Sequence, residues 1–116
     1  HQKLVLEYGV DQTGDMDHYL SLVKPKIAVV TTISPTHLKY FGDVQGVFRE
    51  KSKLIQALPR DGHALLNADD ANVAKMADLT SARTWWYGKK AKDGIKISHF
   101  SQSLKGSKFR LHKNGG

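Results

Sequence analysis

The chain has 116 residues, of which 40% are hydrophobic and 25% charged, with no cysteine and a formal net charge of +7. That length suffices for one buried core, while the absence of cysteine excludes disulfides and thiolate metal sites and is compatible with a reducing cytoplasm. No run approaches the roughly 18 apolar residues of a membrane span and the N-terminus lacks a secretory layout, so the chain reads as soluble; its start at His1 suggests a piece of something larger.

"KLVLEYG" (3–9) is a short β-rich run, and "KIAVVTTIS" (26–34) is another, nearly continuous in Val, Ile and Thr. Runs apolar on both faces predict strands of a parallel sheet. Between them "GDMDHYLSLVKP" (14–25) places Met16, Tyr19, Leu20 and Val23 at helical spacing, with acids early and Pro25 as a stop. A helix follows from Val44 to Leu58, with Asp43 as N-cap, Pro59 behind it, and an apolar stripe of Val44, Val47, Phe48, Leu54, Ile55 and Leu58. At about 100° per residue Lys51 falls near the middle of that stripe and Lys53 on the solvated side. "GHALLNADD" (62–70) predicts a third strand and "DANVAKMADL" (70–79) a further helix. The order βαβαβα implies an open α/β sheet.

After Thr80 the pattern changes. "RTWWYG" (83–88), "IKISHF" (95–100) and "SKFRLH" (107–112) predict a strand and a hairpin appended to the α/β part, so that 1–80 and a β-rich extension over 81–116 belong to one domain. The closing "KNGG" is a turn signal with no strand after it, which suggests that the sequence continues. Residues 83–116 hold nine Lys or Arg against the single acid Asp93, whereas 1–82 hold nine bases and ten acids. Basic residues among Trp85, Trp86, Tyr87, Phe100 and Phe109 would suit nucleic acid, but lysines so scattered more often solubilise a strand face.

Ligands of open α/β sheets bind beyond the carboxyl ends of the strands. Glu7 ends the first run, His37 follows the second, and Asn67, Asp69 and Asp70 follow the third. Taken singly these are ordinary cap or loop residues; their convergence on one edge is what suggests a site, since carboxylate and imidazole together hold divalent cations. Lys51 joins them from its helix. A lysine on an apolar stripe snorkels, pairs with an acid, loses its proton or is chemically changed, and a neutral amine reacting with carbon dioxide becomes an anionic carbamate able to hold magnesium.

The ordered set "LEYG", "TISPTHLKYFGD" and "REKSKLIQALPRDGHALLNADD", with a weaker "KFRLHKNGG", resembles the central ATP-binding domain of the Mur ligases, whose fold is an open, mostly parallel sheet like that of P-loop NTPases. "HLxxFG" followed by "KSKLIQALPRDGHALLNADD" looks most like the branch that adds D-alanyl-D-alanine to UDP-muramoyl tripeptide. The resemblance implies a cytoplasmic ligase of peptidoglycan synthesis that uses ATP and Mg2+ to make an acyl phosphate, from which an amine displaces phosphate. It implies Glu7 and His37 as magnesium ligands, and Lys51, nine residues beyond Gly42, as the carbamylated lysine supporting a second metal. It makes Asn67, with Asp70 in the same turn, the adenine contact. Thr32 and Thr36 stand where relatives often have Asn or Asp, and "GVDQTGDMD" replaces an Asn-His-containing stretch. A Mur-like ligase with another acceptor, amidating the stem peptide or extending folate, and a basic nucleic-acid module are the alternatives. No GxxxxGK[ST] loop occurs in the chain; in this family it lies upstream, so the chain by itself is expected to be inactive.

Overall fold

The computed structural model describes residues 2–114. Five strands form one sheet in the order β1-β2-β3-β4-β5: β1 (Ile27–Val30), β2 (His63–Asn67), β3 (Arg83–Gly88), β4 (Gly94–Ser103) and β5 (Gly106–Asn114). The pairs from β1 through β4 are parallel, and β4–β5 is an antiparallel hairpin. This is the open, mostly parallel sheet with a terminal hairpin that the hydrophobic pattern predicts. Of the closing "KNGG", read as a turn signal, Lys113 and Asn114 end β5 and the two glycines lie outside the described residues.

Helices connect β1 to β2 and β2 to β3, the usual crossover between parallel strands. Between β1 and β2 come α2 (Leu38–Phe41) and α3 (Val44–Gln56); between β2 and β3 come α4 (Ala71–Lys75) and a 3₁₀ turn over Met76–Leu79. Asp43 caps α3 by accepting the Gly46 N–H at 2.8 Å. Val47, Ile55 and Leu58 are buried, with Val44, Phe48 and Leu54 packed against them, so the expected stripe is the buried face. The four-residue α2 has no periodic signature and went unpredicted; its tightness is visible at Gly46, where a Cβ would lie 2.0 Å from the Phe41 carbonyl oxygen.

The sheet's faces differ. Ala28, Val30, Ala64 and Leu66 pack against Phe41, Val47, Ile55, Val73 and Met76 in one core. Their neighbours on the opposite face remain open to solvent, Ile27 at 59% exposure and Val29 at 53%. From β3 the chain reaches its parallel neighbour β4 in five residues, pairing only Tyr87 with Ile95 and Gly88 with Lys96. Gly94 makes this possible: its φ is +97° and a Cβ there would stand 2.2 Å from the Trp86 carbonyl oxygen.

Three expectations need correction. Residues 3–9 form no strand, because the run has no ladder partner among the described residues; its Gly9 carbonyl accepts from the Tyr19 hydroxyl at 2.9 Å and Val5 is 94% exposed. Helices are shorter than their patterns, α1 covering Asp15–Leu22 and the 70–79 helix tightening to 3₁₀ at Met76. The charge buried on α3 is neither lysine. It is Glu50, 2% exposed, while Lys53, expected in solvent, bonds to Glu50 and Asp17.

Candidate functional site

The carboxyl ends of β1 and β2 are tied together by side chains that the sequence singles out. Asp70 caps α4 with Oδ1, accepting the N–H groups of Asn72 at 2.9 Å and Val73 at 3.0 Å. Its Oδ2 reaches back across the sheet to accept from the Thr32 hydroxyl at 2.8 Å and the Ile33 N–H at 2.9 Å. Burial pushes this carboxyl upward, but the donors on Ile33, Val73, Thr32 and Asn72 outweigh it, and the net pKa lies below the ordinary aspartate value.

Lys51 arrives at the same loop from α3. Its Nζ donates to the Thr32 carbonyl oxygen at 3.2 Å, and among the described residues no carboxylate lies within ion-pair distance. Asn67 donates from Nδ2 to the Thr31 carbonyl oxygen at 2.8 Å and accepts the Asp69 N–H on Oδ1 at 2.9 Å. One amide hydrogen of Asn67 is left over, since the side chain carries two. Thus Thr31–Thr32 is the meeting point of Lys51, Asn67 and Asp70.

His37 sits on the neighbouring loop at the start of α2, in a left-handed conformation with φ 53°, and its Nε2 lies 3.2 Å from Asp11 Oδ1. Both side chains are well exposed, so the pair adds little to stability, about 0–1 kcal/mol. Glu7 is exposed, in the extended segment, with no hydrogen bond or ion pair among the described residues. The structure therefore joins Lys51, Asn67 and Asp70, gives His37 a different partner, and leaves Glu7 apart.

Those donors do not make a finished magnesium site. No three His, Asp or Glu side chains converge among the described residues, and a lysine amine donates rather than ligates.

Sequence reasoning missed Asp11 and the role of Tyr87, and named Asp69 without its partners. Asp11, the partner of His37, has no local signal. Asp69 accepts the N–H groups of Lys89 at 2.8 Å and Lys90 at 2.7 Å, fixing the β3–β4 link; burial pushes its carboxyl up, and those donors with the lysine charges bring it below the ordinary value. Tyr87 donates its hydroxyl to the Val30 carbonyl at 3.0 Å. Of the tail aromatics, Trp86 packs on the core, Trp85 donates to His63 Nδ1 at 3.1 Å, and Phe100 and Phe109 are half-exposed.

The Mur ligase middle domain family model matches residues 1–116. UDP-N-acetylmuramoyl-tripeptide–D-alanyl-D-alanine ligase of Mycobacterium leprae is 36% identical over 104 residues, covering 90% of this chain and 18% of the relative. MurF ligase from Thermotoga maritima in complex with ADP superposes with TM-score 0.75 at 19% identity, over 89% of this chain and 24% of that one. MurF from Acinetobacter baumannii superposes with TM-score 0.71 at 21% identity, over 93% and 26%. The chain thus spans less than a fifth of the mycobacterial relative and about a quarter of each structure. No described helix is long and apolar enough to cross a membrane. With its full length matched by the family model and its sheet shared with these structures, the chain belongs to the Mur ligase family, as middle-domain sequence.

Proposed function

We propose that this chain is part of a cytoplasmic, ATP-dependent ligase that adds D-alanyl-D-alanine to a UDP-muramoyl tripeptide in peptidoglycan synthesis, through an acyl phosphate. The observation that carries the reading is the convergence of Lys51, Asn67 and Asp70 on Thr31–Thr32, at the carboxyl ends of two parallel strands, where α/β sheets bind ligands. The 36% identity to the mycobacterial UDP-N-acetylmuramoyl-tripeptide–D-alanyl-D-alanine ligase supports the acceptor. The ADP named with the Thermotoga structure supports the nucleotide.

In this reading Asn67 turns its remaining amide hydrogen to adenine, and Asp70 holds the turn beneath it. Lys51, as its carbamate, exchanges a donor for anionic oxygens, and with His37 and Glu7 it contributes to holding Mg2+. Magnesium when bound supplies charge neutralisation for the transferring phosphoryl group. Among the described residues these three side chains stand apart, Lys51 on the Thr32 carbonyl and His37 on Asp11, so the reading requires Glu7 and His37 to be brought to Lys51 in the full-length ligase.

Carbon-13 NMR of the full-length ligase under labelled bicarbonate tests the lysine. A carbamate resonance is expected in the wild type and absent in Lys51→Arg, with ligase turnover lower by about 100-fold or more, the scale for losing a charge-stabilising group. A Lys51→Arg enzyme that ligates at the wild-type rate overturns the role. Offering glutamate or an ammonia donor in place of D-alanyl-D-alanine tests the acceptor, and preferential turnover of either replaces it. The 116-residue chain, lacking a phosphate loop, is expected neither to hydrolyse ATP nor to ligate.

A further inference from the structure

The turn that follows β2 is fastened to the end of β3 more heavily than strand pairing requires. Ala68 donates its N–H to the Tyr87 carbonyl at 2.8 Å, one residue beyond the Asn67–Tyr87 pair that ends the ladder. The Asp69 carboxylate then takes the next two amides of the neighbouring segment, Lys89 N–H on Oδ2 at 2.8 Å and Lys90 N–H on Oδ1 at 2.7 Å. Both lie at the surface, where water could serve them, so the carboxylate is not needed to satisfy buried donors. Two short, charge-assisted bonds instead fix where the turn stands against the β3–β4 link. Gly88 leaves room for this approach: a Cβ there would lie 2.9 Å from Asp69 Cγ and 3.1 Å from Asn67 Oδ1.

The turn held in this way governs the Asn67 side chain. Asp69 donates its N–H to Asn67 Oδ1 at 2.9 Å, and Asn67 Nδ2 donates to the Thr31 carbonyl at 2.8 Å. Turning the amide over would set its amine against an N–H and its oxygen against a carbonyl, so these two backbone groups allow one orientation. One amide hydrogen and one Oδ1 lone pair are left without a partner among the described residues. A donor beside an acceptor matches adenine, whose N7 accepts and whose N6 donates, whereas guanine places acceptor O6 beside acceptor N7. We infer that Asp69 is a positioning residue of the nucleotide site: by clamping the β3–β4 link it holds the Asn67 amide in the orientation that accepts adenine and refuses guanine. The inference rests on the reading of Asn67 as the adenine contact and adds what sets its selectivity. Asp70 has a different task, because the four bonds of its carboxylate go to α4 and to Thr32 and Ile33, not to the β3–β4 link.

Calorimetric titration of the full-length ligase with ATP, GTP and inorganic tripolyphosphate, which has no base, tests this in magnesium buffer. The wild type is expected to bind ATP about 10- to 100-fold more tightly than GTP, the range for one bidentate contact to a base. Asp69→Ala should lower that ratio about tenfold through weaker ATP binding, with tripolyphosphate affinity unchanged. Asp69→Asn, which keeps one oxygen for the two amides, should lose less. Asn67→Ala should lower the ratio at least as far as Asp69→Ala, and the double variant should be no worse than Asn67→Ala alone, because Asp69 acts through that amide. Gly46→Ala, which forces α2 from α3, should lower the unfolding midpoint and leave the ratio as it is. The positioning role is overturned by an Asp69→Ala ligase that discriminates like the wild type, by losses that add in the double variant, by tripolyphosphate binding that weakens in step with ATP, or by a ratio that falls equally in Gly46→Ala. An Asn67→Ala ligase that keeps the wild-type ratio removes the adenine reading and the inference together, whereas a loss confined to Asn67→Ala removes the Asp69 role alone. These are equilibrium binding constants, so an error about the acceptor or the Lys51 chemistry would leave them unmoved.

Discussion

Glu50 should be the most sensitive polar residue of the chain. It is 2% exposed, and its Oε1 accepts the N–H groups of Gly14 and Met16, each at 3.0 Å. Those groups open α1, whose N-cap Gly14 offers no side-chain bond of its own. Its Oε2 lies 2.8 Å from Lys53 Nζ, which also binds Asp17 of α1. One carboxylate on α3 therefore caps a helix 34 residues away and anchors a cation. Glu50→Ala strands two amides in a dry place and strips Lys53 of one partner, a loss of about 3–5 kcal/mol by analogy with broken buried pairs. Glu50→Gln keeps one acceptor oxygen and loses the charge, which should cost about 1–2 kcal/mol. Urea unfolding followed by circular dichroism is the assay. With a slope of about 2 kcal/mol/M, typical for small domains, the midpoint should fall by about 2 M for Ala and less than about 1 M for Gln. An alanine variant within 0.5 M (about 1 kcal/mol at that slope) of the wild type, or a glutamine variant as damaged as alanine, would refute the capping argument.

Gly46→Ala should destabilise by about 1–3 kcal/mol, because its Cβ would collide with the Phe41 carbonyl oxygen and force α2 from α3; the urea midpoint reads this directly. Asp70→Asn should cost about 1–3 kcal/mol, since an amide can serve only some of the four donors now bonded to the carboxylate. Asp70's folded pKa is depressed, so its stabilisation is present above the unfolded value and lost as pH falls through the folded one; the variant should flatten the acid limb of a stability–pH curve. Tyr87→Phe should cost about 0.5–1.5 kcal/mol through the lost bond to Val30, checked by denaturant midpoint. Burial first, then the charges of Asp69 and Asp70, raise the Tyr87 pKa. Its stabilisation is therefore present below the unfolded value of 10.0 and lost as pH rises through the folded one.

Local chemistry made much of this protein legible. The apolar stripe of α3, its Asp43 cap and the strand at "RTWWYG" each depend on neighbours within one turn or one pleat, and each stands where the pattern placed it. The same is true of Asp70 as cap of α4. That Asp70 also clasps Thr32 was not readable, because that bond joins residues 38 apart and exists only once β1 and β2 lie side by side.

Two of the three corrected expectations share this cause. Residues 3–9 have the composition of a strand, yet a strand is a relation between two segments, and none of the described residues provides its partner. On α3 the stripe includes Lys51, and position 50 lies three residues after Val47 and four before Leu54. Periodicity thus marks a charged edge to the buried face without saying which charge is satisfied there. The sequence by itself carried the family in its motifs, by resemblance, and determined the alternation of elements and the apolar face of α3, since these last follow from composition and period. Only the tertiary structure decided that Glu50 is buried while Lys51 leans out to a carbonyl, because a buried charge is permitted by the donors that distant backbone brings to it.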